Sequence, residues 1–227
     1  MTLTNNYLFG IILTLIIAYC VTLLQKKFTS QLFNFMLISI ILIITFLLLL
    51  DIPYQDYALG GDIILEALGP ITVLLAVPMY ENHQALKSYY LPIFSGVFLG
   101  SFISLLSVYL LSKVMHIDVF VMHSFFVKSV TTPIAITASY ILQGDIGLGV
   151  LSVVFSGIFG AIIASSIFKL FKINNPIAKG VALGVSAHAI GTARAFEFGK
   201  LEGSMAALSI VLTGVCTIFW IYLFSFL

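Results

Sequence analysis

Apolar positions in this chain arrive in long runs rather than in alternation, and polar residues collect in short punctuating stretches. Runs at about 7–24, 32–50, 63–80, 91–112, 119–141, 146–168, 180–198 and 204–226 each approach the roughly 20 residues that an α-helix needs to cross a bilayer. The pattern predicts an all-α, polytopic membrane protein with about 7–8 membrane segments. Three segments depart from the smooth pattern. The third carries Glu66, Pro70 and Pro78; the fifth carries Lys128, Pro133 and several hydroxyls; the seventh is SAHAIGTARAFEFGK, Ser186 to Lys200. Proline removes a helix hydrogen bond and glycine loosens the backbone, so these three are expected to be broken or re-entrant helices.

The chain also echoes itself. LPIFSGVFLGSFISLLSVYLL (91–111) resembles LSVVFSGIFGAIIASSIFKLF (151–171), the preceding GPITVLLA resembles TPIAITAS, and a fainter third copy follows at SIVLTGVCTIF (209–219). Each unit is an unusual segment followed by a smooth one. Internal repeats flanking interrupted helices are the pattern of secondary transporters, whose sites form near the midplane where the interruptions meet.

Composition narrows the picture. Of 227 residues, 61% are hydrophobic and 8% charged, too few charges for a water-facing surface. One membrane domain is expected over 1–227, with two N-terminal spans in 1–60 and the repeat-containing core in 61–227. A formal charge of +1 implies no nucleic-acid partner. Cys20 and Cys216 lie inside apolar runs with no ligand spacing, so no metal site and no cofactor are expected. The N-terminal MTLTNNYLFG lacks a basic leader, and the first span is expected to be retained.

Lysine and arginine favour cytoplasmic loops, which tests the topology. Eight full crossings would leave the lysines without a consistent side. If the fifth segment dips in and returns, Lys26, Lys27, Lys87, Lys169, Lys172 and Lys179 share one side, while Asp51, Asp56 and Asp62 share the other. The repeat would have the third segment behave like the fifth, so the orientations of the third, fifth and seventh stay open.

The candidate chemistry sits in the odd segments. A charge at the bilayer centre costs about 2.5 to more than 10 kcal/mol, so Arg194, the only arginine, needs an interfacial position or a partner. In one reading it pairs with Glu197 three residues on, near the membrane edge. In the other its guanidinium lines a wet cavity and binds a carboxylate. Small neighbours allow close packing, and a break at Gly191 and Thr192 would expose helix N-terminal donors to an anion. His188 either carries a coupled proton or hydrogen-bonds a carbonyl. Lys128, Ser129, Thr131 and Thr132 precede Pro133 as in a helix start. They cap a proline kink or point a second half-helix at the same cavity. The substrate-binding candidates are therefore Arg194, His188, Thr192, Gly191, Thr131, Thr132, Ser186 and Lys128, with Pro70, Pro78 and Pro133 as structural breaks. Glu66 reads as an interfacial carboxylate or part of a third irregular element. His83, His116 and His123 are expected in solvated loop ends. GVFLG (96–100) is a GxxxG pattern that lets helices approach, within the chain or between copies. No serine, aspartate-pair or HExxH arrangement offers a nucleophile or a metal, so no enzyme is expected.

The runs LGPITVLLAVPMY, KSVTTPIAIT, FSGIFGA and AKGVALGVSAHAIGTARAFEFGKLEG resemble the LrgB/CidB family of bacterial membrane proteins over roughly residues 60–227. That resemblance implies an antiholin-like protein linked to control of murein hydrolase activity and cell lysis. It equally implies a carrier of small monocarboxylates such as pyruvate, glycolate or lactate, as in plastid relatives that look like glycolate and glycerate transporters. It further implies a small LrgA/CidA-type membrane partner, separate because this chain is too short for the fused form, and a homo-oligomer in the cell membrane. Phe196 and Phe198 flank Glu197 where smaller residues would be usual, which leaves substrate size open. The sequence favours a carrier working by alternating access, with Arg194 as anchor, over a regulator of lysis.

Overall fold

Helix is the regular structure throughout the residues that the computed structural model describes, 6–27, 35–67, 70, 73, 74 and 76–224. The chain divides into two compact units, Met1–Leu74 and Leu75–Leu227. In the first, α1 (Tyr7–Lys27) packs on both α2 (Phe35–Leu49) and α3 (Tyr54–Glu66). Gly10 and Gly60 allow α1 and α3 to touch by backbone, since a Cβ on Gly60 would lie 2.8 Å from the Gly10 Cα. Thr14 and the Tyr57 hydroxyl, 3.0 Å apart, tie the same pair. Glu66, the last residue of α3, is exposed.

The second unit contains α4 (Ala76–Glu81), α5 (His83–Ser88), α6 (Tyr90–Val114), α7 (Val119–Phe125), α8 (Thr132–Ile141), α9 (Ile146–Leu170), α10 (Pro176–Phe198) and α11 (Lys200–Phe224). Four helices among the described residues, Tyr7–Gln25, Tyr90–Val114, Ile146–Leu170 and Lys200–Phe224, are long and apolar enough to cross a bilayer. Their outward faces carry large exposed apolar side chains such as Leu151, Phe155, Val211 and Val215, the surface expected of a lipid-facing helix. This is a multi-pass membrane protein.

Sharp helix ends keep the connections short. Asp118 and Asp145 cap α7 and α9 by accepting from the Phe120 and Leu148 amides at 2.8 and 2.7 Å. His116, Gln143 and Lys172 adopt positive φ just past α6, α8 and α9. Each lets the next amide bond back to a carbonyl in the last helical turn, as Ile117 does to Ser112 at 2.9 Å.

The segments expected at 91–112, 146–168 and 204–226 are the long helices α6, α9 and α11. The fifth and seventh are not straight spans. Residues 119–141 form two short arms, α7 and α8, joined by an irregular tip over 126–131. His123 Nδ1 reaches the Leu142 carbonyl at 2.7 Å and the Asp145 amide donates to Ser124 Oγ at 2.7 Å, so both arms end on one side. His123, expected in solvent, is a staple of this hairpin. Within α10 the chain doubles back at His188 (φ 39°, ψ −127°). A Cβ on Gly191 would lie 2.6 Å from the Ala187 Cβ and 3.1 Å from the Leu183 carbonyl carbon, contacts that a straight helix cannot make. The break falls at His188, three residues before the expected Gly191 and Thr192. Of the third segment, Pro70 sits within 68–75, most of which lies outside the described residues; Pro78 is inside α4, its side chain outside them.

Gly96 and Gly100 receive Val181 and Val185 of α10, so the GxxxG pattern serves packing within the chain.

Candidate functional site

The two hairpin tips converge on one turn of α9. His188 Nε2 lies 2.9 Å from the Val153 carbonyl, and Ser156 Oγ donates to the carbonyl of Lys128. Gly157, beside them, leaves room for the imidazole: a Cβ there would sit 2.7 Å from His188 Cε1. The ten residues of α8 rise about 15 Å, half the roughly 30 Å hydrocarbon layer, so a hairpin of this length entering from one surface would reach the midplane.

Pro133 explains where α8 begins. Its fixed φ suits the first helical turn and its missing N–H costs nothing there. Thr131 occupies the N-cap position in extended conformation, without a capping hydrogen bond from its side chain. The preceding residues therefore stay non-helical. Val127 and Val130 pack into the core formed with Leu105, Ala135 and Val153, and Lys128 points the other way.

There Lys128 Nζ donates to Ser104 Oγ at 2.7 Å, and Ser104 shares a 2.7 Å hydrogen bond with Ser129. These groups border a cavity of about 360 Å³ between α6, the first tip and the first arm of α10. Ser107, Ser186 and Ala182 line it too, with Gly96 and Gly100 and the valines packed on them, Val181 and Val185. Lys128 is the one charged side chain among its described lining residues, and no described carboxylate lies within ion-pair distance of it. A cation with three donors beside the hydroxyls of Ser104 and Ser129 is suited to an oxyanion, while the Ser107 hydroxyl donates to the Ser104 carbonyl at 2.6 Å.

The other expected site residues lie elsewhere. Arg194, in the last turns of the second arm of α10, pairs with Glu197, donates to Ser165 Oγ at 3.0 Å and stacks 5.0 Å from the centre of the Phe198 ring. Its side chain is 24% exposed, with Nε buried and unpartnered among the described residues, and that of Glu197 is 61% exposed, the arrangement of an ion pair near the open end of a hairpin. Lys179 reaches the same Phe198 ring at 5.9 Å. Arg194 thus does not line the cavity that Lys128 borders. Thr131 and Thr132 are half-buried at the tip beside Lys128 without lining the cavity. Gly191 packs against the first arm, and Thr192 is buried with its hydroxyl unpartnered among the described residues. His188 is 3% exposed and holds the Val153 carbonyl. Ser186 lines the cavity, its hydroxyl donating to the Ala182 carbonyl at 2.7 Å.

Sequence reasoning missed Ser104 and Ser107. The signal was present: Ser101, Ser104 and Ser107 recur every three residues in an apolar span and so lie along one helix face. Among the described residues no cluster of histidine, cysteine or carboxylate could hold a metal ion.

Comparison with known proteins adds lineage to this geometry. A chain of Bacillus subtilis (strain 168) called antiholin-like protein LrgB is 36% identical over 97% of this chain and 96% of its own length. A second from that strain, called uncharacterized protein YwbG, is 34% identical over 85% of this chain and 84% of its own length. No solved structure matches. The model of the LrgB-like family matches residues 14–227, so nearly the whole sequence, including both hairpins and the Lys128 cavity, belongs to the LrgB-like family.

Proposed function

We propose that this protein is an antiholin-like membrane regulator of murein hydrolase activity and cell lysis, and that the molecular event behind the regulation is binding and translocation of a small carboxylate at Lys128. The family match and the name of its B. subtilis relative support the first part. Membership of the family favours a regulator over the pyruvate carrier expected from sequence, and a small LrgA/CidA-type membrane protein is the partner it would act with.

One observation supports the second part. Lys128 sits at the interrupted tip of an apolar hairpin, beside a cavity and without a carboxylate partner among the described residues. Such a charge is costly in a membrane, and intramembrane ionisable residues by default mark a functional pathway. The cavity fits a pyruvate-like ion: Lys128 would hold the carboxylate, and the hydroxyl of Ser104 or Ser129 its one remaining oxygen. Arg194, whose two Nη groups are engaged by Glu197 and Ser165, would orient the second hairpin and mark the cytoplasmic end, where Lys169, Lys172, Lys179 and Lys200 also gather.

The hairpin and long helix of 119–170 would then repeat in 176–224 with inverted orientation, the arrangement that permits alternating access around a central site. Gly96 and Gly100 are occupied within the chain, so the homo-oligomer expectation draws no support from them.

The two parts separate experimentally. Purified protein should gain thermal stability from pyruvate, glycolate or lactate, and Lys128→Ala should lose that gain while keeping its helicity. Cells carrying Lys128→Ala in place of the wild type should autolyse faster. A variant that restrains lysis normally, together with a wild type stabilised by no short carboxylate, would remove the translocation step and leave the regulator.

A further inference from the structure

A second surface feature of the same unit lies on the outer flank of the first hairpin, away from the Lys128 cavity. Between α8 and the end of α11 runs an open groove of about 600 Å³ bounded by Pro133, Thr137, Ile141, Ile218 and Tyr222. No charged side chain lines it among the described residues. Along α8 the groove extends from Pro133 to Leu142, about 14 Å at 1.5 Å per residue, which is close to the depth of one leaflet's hydrocarbon.

Its outer end does not stop at lipid. Ile141 and Leu142 also border an adjoining cavity of about 380 Å³, lined by Lys113, His123, Gln143 and Tyr109. Polarity therefore changes where α8 ends, the depth at which a headgroup layer would begin. Lys113 stands at the end of α6 with its ammonium 5.6 Å from the centre of the Tyr109 ring, and no described carboxylate lies within ion-pair distance. An exposed lysine there presents a positive charge at headgroup depth. An apolar channel one leaflet deep that opens onto an unneutralised cation and hydrogen-bonding groups has the two-part character of a phospholipid.

We propose that these adjoining cavities form a binding site for one phospholipid with an anionic headgroup. An acyl chain lies between α8 and α11, and the phosphate sits against Lys113. Because the groove wall is the second arm of the hairpin that carries Lys128, the bound lipid braces that arm. The site does not depend on what the Lys128 cavity binds.

The test uses the full chain in detergent, presented with phosphatidylglycerol or phosphatidylcholine of identical acyl chains, and native mass spectrometry to count retained lipid. Wild type should retain phosphatidylglycerol about fivefold better, the preference expected of one basic residue at a membrane surface. Lys113→Gln should reduce that preference to near parity without lowering phosphatidylcholine retention. Ile218→Trp, which fills the groove, should lower retention of both lipids; Thr137→Phe does the same from the opposite wall should the first variant fail to fold. Equal retention of the two lipids by wild type would overturn the proposal, as would an unchanged preference in Lys113→Gln. Disulfide cross-linking of Ile218→Cys to a second copy in native membranes would also overturn it, because another chain would then fill the groove.

Discussion

The two helical hairpins of the second unit solve one geometric problem in opposite ways. That of 119–141 turns through six irregular residues and presents a lysine at its tip; that of 176–198 turns at a single residue and presents none. The first is held at its open end by His123 and Ser124, which leaves its tip free to carry polar groups. The second is held along its length by contacts between small residues. A Cβ on Gly184 would lie 2.8 Å from the Ser209 Cβ and 3.0 Å from the Ala206 Cα, so its first arm touches α11 almost backbone to backbone. Its charge, Arg194, stays near the open end with a partner. Close packing and a polar interruption compete for the same turn, and each hairpin has taken one of them.

Breaking the packed hairpin should have the largest effect. Gly184→Val forces a branched side chain into α11 and should destabilise the protein by about 3 kcal/mol, at the upper end of typical overpacking costs, read as a lowered melting temperature in detergent. The charges come next. Lys128→Ala should weaken carboxylate binding at least about tenfold, because a hydrogen bond to a charged group contributes about 1.5–3 kcal/mol, while Arg194→Gln stays within about twofold of wild type. Equal losses from the two variants would erase the distinction drawn between the tips. At the reversal itself, a non-glycine residue in a sparsely populated conformation carries about 1–3 kcal/mol of strain. His188→Gly should therefore release roughly what the lost hydrogen bond to Val153 costs and remain within about 1 kcal/mol of wild type by thermal melting. His188→Ala loses the bond without escaping the strain and should be less stable than His188→Gly.

Much of this was legible in the sequence. Run length announced α6 and α9 to within about two residues and α11 to within about four, and Pro133 behind a hydroxyl pair announced the start of α8. The small residues of 180–195 announced a tightly packed element. The turn at His188 was not legible, because glycine is the usual mark of positive φ and this sequence places histidine there and Gly191 in the packed face instead. Nor was it legible which cation faces a cavity. Arg194 drew attention as the only arginine, yet Glu197 three residues away was already a local signal of pairing. The partners of Lys128 come from Ser104, twenty-four positions earlier on another helix, and Ser156, twenty-eight later, so tertiary contact alone brings them together.

A hydroxyl has one hydrogen to give, and Ser156 has two carbonyls within reach, that of Lys128 and that of Val153 at 3.1 Å. His188 also addresses the Val153 oxygen. The Val153 oxygen has two lone pairs and accepts from both groups, so the two hairpin tips are tied to the same turn of α9 by neighbouring hydrogen bonds. A double-mutant cycle on Ser156→Ala and His188→Ala should then depart from additivity by about 0.5–1 kcal/mol, and strict additivity would mean that the two tips are anchored independently.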